Sequence, residues 1–283
     1  MLMANSTDNV SALRTKHLAV LGAGKMGTIL LQALLRQNLL VPEHTRATVQ
    51  HADRARSLSQ QFNVPIGTNN AEAIRGADII LVAVKPTAVR TVLEEIAPAL
   101  QPNQLVVSIA ASVPTSFMEK LLPANTPVVR AMPNTPCTVG SGMTALCKGS
   151  YANQSHLACA GMLFDAVGRT AIVDEKHMDA VTALSASGPA YIYIILESLA
   201  EAGVKVGLPR DLATLLAAQT TAGAAQVVLQ TGDHPALLKD AVTTPAGCTI
   251  DGMLELEEGK LRVTLIKAVV KAASRAKELL FAE

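Results

Sequence analysis

The stretch HLAVLGAGKMGTILLQALLRQN, residues 17–38, decides the fold of the first half of the chain. Residues 17–21 form a short, mostly apolar run that predicts a buried strand, and three glycines follow at Gly22, Gly24 and Gly27. The spacing of apolar residues over 28–38 then predicts a helix. A strand, a glycine-rich turn and a helix in this order are typical of the first part of a βαβ unit.

The alternation of strand and helix continues to about residue 174. Apolar runs predict further strands at 47–50, 79–84, 105–109 and 128–131, with helices between them at 54–61, 87–100 and 114–122. Alternating elements of this kind predict an α/β fold with a Rossmann-type, mainly parallel sheet that helices cover on both faces.

Beyond residue 174 the strand pattern disappears. Long helical patterns follow, and segments that contain Gly or Pro interrupt them at 187–189, 207–209, 232–235 and 244–247. We therefore expect a flexible N-terminal extension over 1–16, the α/β domain over 17–174, and an all-helical domain over 175–283. The last helices, predicted at 249–257 and 262–281, are rich in Ala, Leu and Val, so we expect them to form a homodimer.

The composition excludes several classes of partner. The 24 Lys and Arg nearly balance the 23 Asp and Glu, so no global field attracts nucleic acid or a membrane surface. Aromatic residues make up only 2%, and no uninterrupted apolar run approaches the ~20 residues that span a bilayer. The four cysteines form no CxxC pair and the six histidines lack ligand spacing, which predicts no disulfide and no metal site. We expect a cytoplasmic protein that binds a small molecule.

The glycine-rich turn predicts the binding of a dinucleotide. Pyrophosphate requires close approach to the backbone and free N–H groups at a helix N-terminus. A segment directly after the first strand provides both, and it consists of Gly22, Ala23, Gly24, Lys25, Met26 and Gly27. The alternative is an ordinary turn that happens to contain three glycines.

The end of the second strand indicates which dinucleotide is bound. NAD enzymes place an Asp or Glu there against the ribose, whereas this strand is expected to end at Val49-Gln50-His51. Arg54 and Arg56 follow, and a guanidinium could pair with the 2′-phosphate of NADP. NADPH is therefore the expected cofactor, with NADH as the alternative. Equally, the two arginines could be solvated surface charges.

Loops that follow the other strands should line the same cleft, because ligands bind at the carboxyl ends of parallel strands. The candidate cofactor contacts in these loops are His51, Ala83, Val84, Lys85, Pro86, Ile109, Ala110, Ala111 and Asn134. Lys85 could equally be a charged loop residue without a contact. Pro133 and Pro136 flank Asn134, so we expect a rigid, extended loop that walls the cleft, or else a stiff connector.

Five motifs resemble one family. They are MPNTP at 132–136, LSASGPAY at 184–191, GVKVGLP at 203–209, HPALLKD at 234–240 and VTTPAGCTIDGMLELE at 242–257. Together they resemble the pyrroline-5-carboxylate reductases, over nearly the whole chain from residue 17. The resemblance implies NAD(P)H-dependent reduction of Δ1-pyrroline-5-carboxylate to L-proline, the last step of proline biosynthesis. It also implies a dimer formed through the helical domain, or a ring of dimers such as a decamer.

The resemblance assigns site residues as well. It implies cofactor contacts at the glycine-rich turn, at Asn70, and at the loops 83–86 and 109–111. The expected substrate site comprises Thr243, Thr244, Gly247, Cys248 and Thr249, at the start of a helix whose N–H groups suit a carboxylate. We expect Thr249 to be the catalytic residue that hydrogen-bonds the imine nitrogen or the carboxylate. The alternative is that Thr249 only caps its helix.

Two other functions fit parts of the sequence. A β-hydroxyacid-type dehydrogenase would share the glycine-rich turn and the helical half, but it requires a lysine on the helix after Gly188, where the first lysine is Lys205. A non-catalytic redox sensor could bind NADP(H) through the same turn without turnover.

Overall fold

The computed structural model describes residues 13–245 and 247–278. Its first compact unit, residues 13–186 with 272–278, contains an eight-stranded sheet. The strands are β1 (Leu18–Leu21), β2 (Thr45–Thr48), β3 (Ile66–Gly67), β4 (Ile79–Val82), β5 (Leu105–Ser108), β6 (Val128–Met132), β7 (Gly142–Lys148) and β8 (Gly168–Ile172). They lie in the order β3-β2-β1-β4-β5-β6-β7-β8, and every neighbouring pair except β6 and β7 is parallel. The first six strands have the Rossmann order, which confirms the predicted sheet.

Helices connect these strands and cover both faces of the sheet. They are α1 (Lys25–Arg36), α2 (Ala52–Phe62), α3 (Asn70–Ala73), α4 (Val89–Ile96), α5 (Thr115–Glu119), α6 (Gln154–Asp165) and α7 (Met178–Val181). Alternate residues of β1 are buried on opposite faces, with Leu18 and Val20 in one core cluster and Ala19 and Leu21 in the other. Because both faces are covered, these strands are continuous apolar runs, and the sequence shows them clearly.

The sheet extends beyond the last strand that the sequence predicts. β7 pairs antiparallel with β6, with Ala131 opposite Leu146, and β8 then pairs parallel with β7. β7 reads GMTALCK, a mixture of small and polar residues, and none of the residues of β8 is fully buried. Neither strand is a continuous apolar run, so the sequence predicts neither of them, nor the helix α6 between them.

The boundaries of the first unit differ from the predicted domain limits. Residues 1–12 of the expected N-terminal extension lie outside the described residues. The expectation of a flexible segment is wrong for residues 13–16, because Leu13 is 1% exposed within the core and the Lys16 ammonium donates to Asp78 at 3.3 Å. The unit also continues past residue 174, and it includes residues 272–278, where the Ser112 hydroxyl donates to the carbonyl of Ala276.

The second compact unit, Ser187–Lys271, has helices and no strand among its described residues. The helices are α8 (Gly188–Lys205), α9 (Arg210–Thr231), α10 (Pro235–Val242), α11 (Cys248–Glu258) and α12 (Leu261–Glu278), the last of which ends in the first unit. The four predicted interruptions all fall at helix boundaries. α8 and α9 pack closely, since a Cβ on Gly203 would lie 2.8 Å from the Cβ of Ala213.

The apolar side chains of the second unit are largely exposed in the single chain. Ile194 and Leu215 are each 64% exposed, and the buried hydrophobic residues among the described part of this unit are three alanines. Two helical stretches, Glu175–Lys205 and Arg210–Thr231, are long and apolar enough by length and composition to cross a membrane. The expectation of no membrane-spanning stretch applies to uninterrupted apolar runs only, and these two helical stretches depart from it. Exposed apolar helix faces of this kind are typical of surfaces that become buried against a partner chain or another apolar phase.

Candidate active site

The glycine-rich turn leaves the carboxyl end of β1 and is fixed by the end of the neighbouring β2. The backbone N–H groups of Gly22 and Ala23 both donate to the carbonyl of Thr48, at 3.1 and 2.7 Å. The Gly24 N–H donates to the Gly22 carbonyl at 2.7 Å, which closes the turn. The first three N–H groups of the segment are therefore used within the protein.

The next three N–H groups are available to a ligand. Among the described residues, the N–H groups of Lys25, Met26 and Gly27 have no acceptor, and they form the first turn of α1. No acidic side chain lies in that turn. Free N–H groups and the positive end of a helix dipole bind an anion such as pyrophosphate. The predicted pyrophosphate site thus has suitable geometry, with its donors in the second half of the segment.

The structure requires two of the three glycines, for different reasons, and leaves the third unconstrained. Gly22 has a φ of +87°, and an added Cβ would lie 2.5 Å from Val84 Cγ1. At Gly27 a Cβ would lie 2.6 Å from the carbonyl oxygen of Gly22, so this glycine allows α1 to pack against the turn. Gly24 has neither constraint, because its nearest neighbour would be 3.9 Å away. The open space at Gly24 is the feature expected where a ligand approaches the backbone.

The two candidate arginines for a 2′-phosphate occupy different places. The Arg54 guanidinium donates to the carbonyl of Ala23 at 3.3 Å, so it lies beside the turn. Arg56 instead donates to the carboxylate of Asp53, and both side chains are mostly exposed. His51 is the exposed N-cap residue of α2 and makes no side-chain cap bond. Of the three residues, Arg54 has the position that fits a phosphate contact at the turn.

The loop after β4 lies next to the turn, and the loop after β5 follows on the far side of β4, where the Ile109 N–H donates to the carbonyl of Val82 at 3.0 Å. Ala83 donates its N–H to Leu21 at 2.8 Å, and Val84 contacts Gly22 closely enough to exclude a side chain there. Lys85 and Pro86 are exposed. Ile109 and Ala111 are partly exposed, but Ala110 is 2% exposed and packs in the core. The Ala110 side chain therefore has little surface to offer a cofactor.

Asn134 has a bonding pattern that the sequence did not suggest. Its Oδ1 accepts the Met143 N–H at 2.8 Å, and its Nδ2 donates to the Ser185 carbonyl at 3.1 Å. The side chain thus ties the loop after β6 to β7 and to the π-helical turn Thr182–Ala186. The expected extended loop is wrong from Thr135 onward, because Thr135–Val139 form a 3-10 helix with Pro136 near its start.

The candidate substrate segment lies at the start of α11. Gly247 is the N-cap and donates its N–H to Thr244 at 3.0 Å, while Cys248 and Thr249 are the first two residues of the helix. Thr249 does not occupy the cap position of α11, because Gly247 is the N-cap and Thr249 is the second residue of the helix. Among the described residues, the Thr249 hydroxyl and the N–H groups of Cys248 and Thr249 have no partner. These three donors can bind a ligand carboxylate or imine.

The two other threonines differ from Thr249. The Thr243 hydroxyl donates to the carbonyl of Lys239 at 2.9 Å, so its proton is committed to α10. Thr244 is exposed, and its Oγ1 would lie 2.4 Å from a Cβ on Gly247. Thr244 therefore lies directly against Gly247, and Thr249 remains the best-placed hydroxyl of the segment.

Comparisons with known proteins identify the family. A family model for pyrroline-5-carboxylate reductase dimerisation matches residues 175–279, and a model for NADP oxidoreductase, coenzyme F420-dependent, matches residues 17–112. The pyrroline-5-carboxylate reductase of Methanosarcina acetivorans is 40% identical over 94% of this chain and 99% of its own length. The chain belongs to the pyrroline-5-carboxylate reductase family.

Solved structures show the same relationship for this reductase. A pyrroline-5-carboxylate reductase from Coxiella burnetii has a TM-score of 0.87 at 35% identity, covering 94% of this chain and 98% of its own. The Plasmodium falciparum pyrroline carboxylate reductase, solved with NADP bound, has a TM-score of 0.85 at 31% identity and covers 95% and 99% of the two chains. The family resemblance drawn from the motifs is confirmed. The reductase is an oxidoreductase of an NADP-dependent family.

Two residues that hold the glycine-rich turn have no local signal in the sequence. Thr48 holds the glycine-rich turn and is 2% exposed at the last position of β2, directly before Val49, where the predicted end of the strand begins. Asn70, assigned by resemblance alone, accepts a hydrogen bond from the Thr48 hydroxyl at 2.7 Å. The rule that ligand contacts follow strand ends would have found Thr48 if the strand had been predicted to end there.

Proposed function

We propose that this reductase reduces Δ1-pyrroline-5-carboxylate to L-proline with NADPH, the last step of proline biosynthesis. The observation that carries the proposal is the pair of helix starts with free backbone N–H groups, at α1 and α11, in a chain of this family. NADPH, when bound, supplies a hydride for the C=N carbon, and the ring nitrogen keeps its proton to become the secondary amine. NADH is the alternative hydride source.

The protein contributes positioning rather than a strong acid. An iminium substrate already carries the proton on nitrogen, and the described residues from Thr243 to Thr249 include no histidine or carboxylate. The N–H groups of Cys248 and Thr249 bind the ring carboxylate at the positive end of α11. The Thr249 hydroxyl holds the ring nitrogen or the carboxylate, with Thr243 and Thr244 as secondary polar contacts.

On the cofactor side, the chain orients the nucleotide. The N–H groups of Lys25, Met26 and Gly27 bind pyrophosphate, and Arg54 pairs with the 2′-phosphate. The loops 83–86 and 109–111 line the nicotinamide end. Asn70 and Asn134 are proposed as further contacts, although their side chains also make the protein hydrogen bonds described above.

A kinetic assay with two threonine variants tests the proposal. NADPH absorbance at 340 nm is followed with pyrroline-5-carboxylate and, separately, with hydroxy acids. Turnover with the imine alone is expected. Thr249→Val should lower kcat/KM about 10- to 150-fold, because one hydrogen bond to a charged group is worth roughly 1.5–3 kcal/mol. Thr249→Ser keeps the hydroxyl and should stay within a few-fold of the wild type. Equal activity of both variants would remove Thr249 from the mechanism.

We also propose that a second copy of the chain covers the apolar faces of α8 and α9, giving a homodimer or a ring of dimers such as a decamer. The match of residues 175–279 to a dimerisation model supports a protein partner rather than a lipid phase. We propose a cytoplasmic location without nucleic-acid or membrane partners. Light scattering after gel filtration without detergent should give at least twice the 29.6 kDa chain mass. A monomer, or protein recovered only in detergent, would contradict this.

A further inference from the structure

A chain of hydrogen bonds runs from the surface of α4 to the glycine-rich turn. It begins at Glu95, one residue before the end of α4, whose side chain is exposed. Glu95 Oε1 accepts the backbone N–H of Asn70 at 3.0 Å, and Oε2 accepts the Asn70 side-chain Nδ2 at 2.8 Å. One carboxylate therefore holds both the backbone and the side chain of Asn70.

The chain continues through Thr48 to the turn. The Thr48 hydroxyl donates to Asn70 Oδ1 at 2.7 Å, and Thr48 Oγ1 accepts the Gly22 N–H at 3.1 Å. Gly22 is the residue with positive φ at which the turn begins. Four residues from four separate segments are thus linked, and the last link is a backbone group of the proposed nucleotide site.

The carboxylate sets the direction of the side-chain bonds in this chain. An ionised carboxylate only accepts hydrogen bonds, so the Asn70 amide must present Nδ2 to Glu95. Its Oδ1 then faces Thr48, which commits the Thr48 proton to Asn70 and leaves a lone pair for Gly22. A flipped amide would place Oδ1 against the carboxylate and a donor against Thr48. Hydrogen bonds in such a series strengthen one another.

We propose that Glu95 is a positioning residue for the nucleotide: through Asn70 and Thr48 it orders the glycine-rich turn for NADPH. The inference rests on the proposed function, in which that turn binds the cofactor. Glu95 does not itself contact the pyrophosphate donors. The neighbouring Glu94 provides a natural contrast, because its carboxylate faces Arg90 at 3.7 Å on the same helix and takes no part in the chain of bonds.

The test compares Glu95→Ala, Glu95→Gln and the matched control Glu94→Ala. NADPH binding is measured by its fluorescence without any imine, and kinetic constants are measured separately. Loss of the ordered chain should raise both Kd and KM for NADPH about fivefold or more in Glu95→Ala, the effect of roughly one net hydrogen bond. kcat, KM for the imine and Tm should match those of Glu94→Ala. Glu95→Gln keeps one acceptor, so it should be intermediate.

A double mutant tests whether Glu95 acts through Thr48. Thr48→Val removes the hydroxyl with little change of shape, and it should weaken NADPH binding by itself. Thr48→Val with Glu95→Ala should then bind no worse than Thr48→Val alone. Fully additive losses, or an NADPH Kd of Glu95→Ala equal to that of Glu94→Ala, would overturn the inference. A wild type that binds NADPH without reducing the imine would overturn the proposed function instead, and the Glu95 result would still be read from binding.

Discussion

Gly24→Ala separates the fold of the glycine-rich turn from its binding role. The φ of Gly24 is −77°, which any residue adopts, and a Cβ there would meet its nearest protein atom at 3.9 Å. Alanine is a poorer N-cap than glycine by up to about 1 kcal/mol, whereas the loss of unfolded-state entropy stabilises the variant by about 0.4–1 kcal/mol. The two effects oppose each other, so the free energy of unfolding should change by less than about 1 kcal/mol.

Gly24→Ala should weaken cofactor binding far more than it destabilises the fold. The new methyl group occupies the open side of the turn and holds the pyrophosphate away from the N–H groups of the first turn of α1. Loss of one hydrogen bond to a charged group costs about 1.5–3 kcal/mol, which corresponds to a roughly 10- to 150-fold higher Kd. NADPH fluorescence titration measures the Kd, and urea unfolding measures stability.

Gly27→Ala provides the contrasting control. Its Cβ would lie 2.6 Å from the carbonyl oxygen of Gly22 and 3.2 Å from Ala83 Cβ, so the backbone must shift. We expect this variant to lose about 1–3 kcal/mol of stability as well as NADPH affinity. Wild-type affinity in Gly24→Ala, with or without a stability change, would refute the placement of pyrophosphate at this turn.

Three further predictions concern the first unit. Phe164 is fully buried, so Phe164→Ala should lower the free energy of unfolding by about 3–5 kcal/mol in urea, and a loss below about 1 kcal/mol would contradict the packing. Burial raises the Asp78 pKa, but the His17 N–H and Lys16 outweigh burial and lower the pKa overall. Asp78 therefore stabilises the fold above about pH 4. The difference in free energy of unfolding between the wild type and Asp78→Asn should shrink below that pH. Burial, with a smaller effect of Glu175, raises the pKa of the Cys147 thiol to about 12. Cys147 should therefore react with a thiol reagent at pH 8 only after unfolding, whereas the exposed Cys248 should react in the native protein. Mass spectrometry of the labelled protein measures both reactions.

The parallel core could be predicted from the sequence because burial on both faces leaves a plain signal. β4 and β5 are four consecutive buried residues each, and the predicted strands overlap them. β7 and β8 could not be predicted in this way, since β7 adds on the far side of β6 through antiparallel pairing and β8 is only half buried. Strands whose stability comes mainly from their neighbours leave little pattern in their own sequence.

The residues of the candidate site also divide into those with a local sequence signal and those without one. The three glycines could be found because backbone geometry restricts which residues fit there, whereas the substrate segment at the start of α11 was assigned through the family resemblance. The roles of Thr48, Glu95 and Asn134 depend on partners 22, 25 and 51 residues away along the chain. No local pattern encodes such pairings, and even Asn70 entered only through the family resemblance.

The second compact unit shows which contacts the sequence of a single chain does not determine. Its sequence predicts the helices and every interruption between them, because Gly and Pro act locally. It does not determine what covers Ile194 and Leu215, since burial of an apolar face contributes free energy in any apolar environment. Two stretches of the chain meet the length and composition of a membrane span for this reason. In the proposed homodimer a second copy would cover both faces at once, because a two-fold interface presents the same apolar surface from each side. Charged substitutions such as Leu215→Glu should therefore yield monomers that are less stable than the assembled wild type.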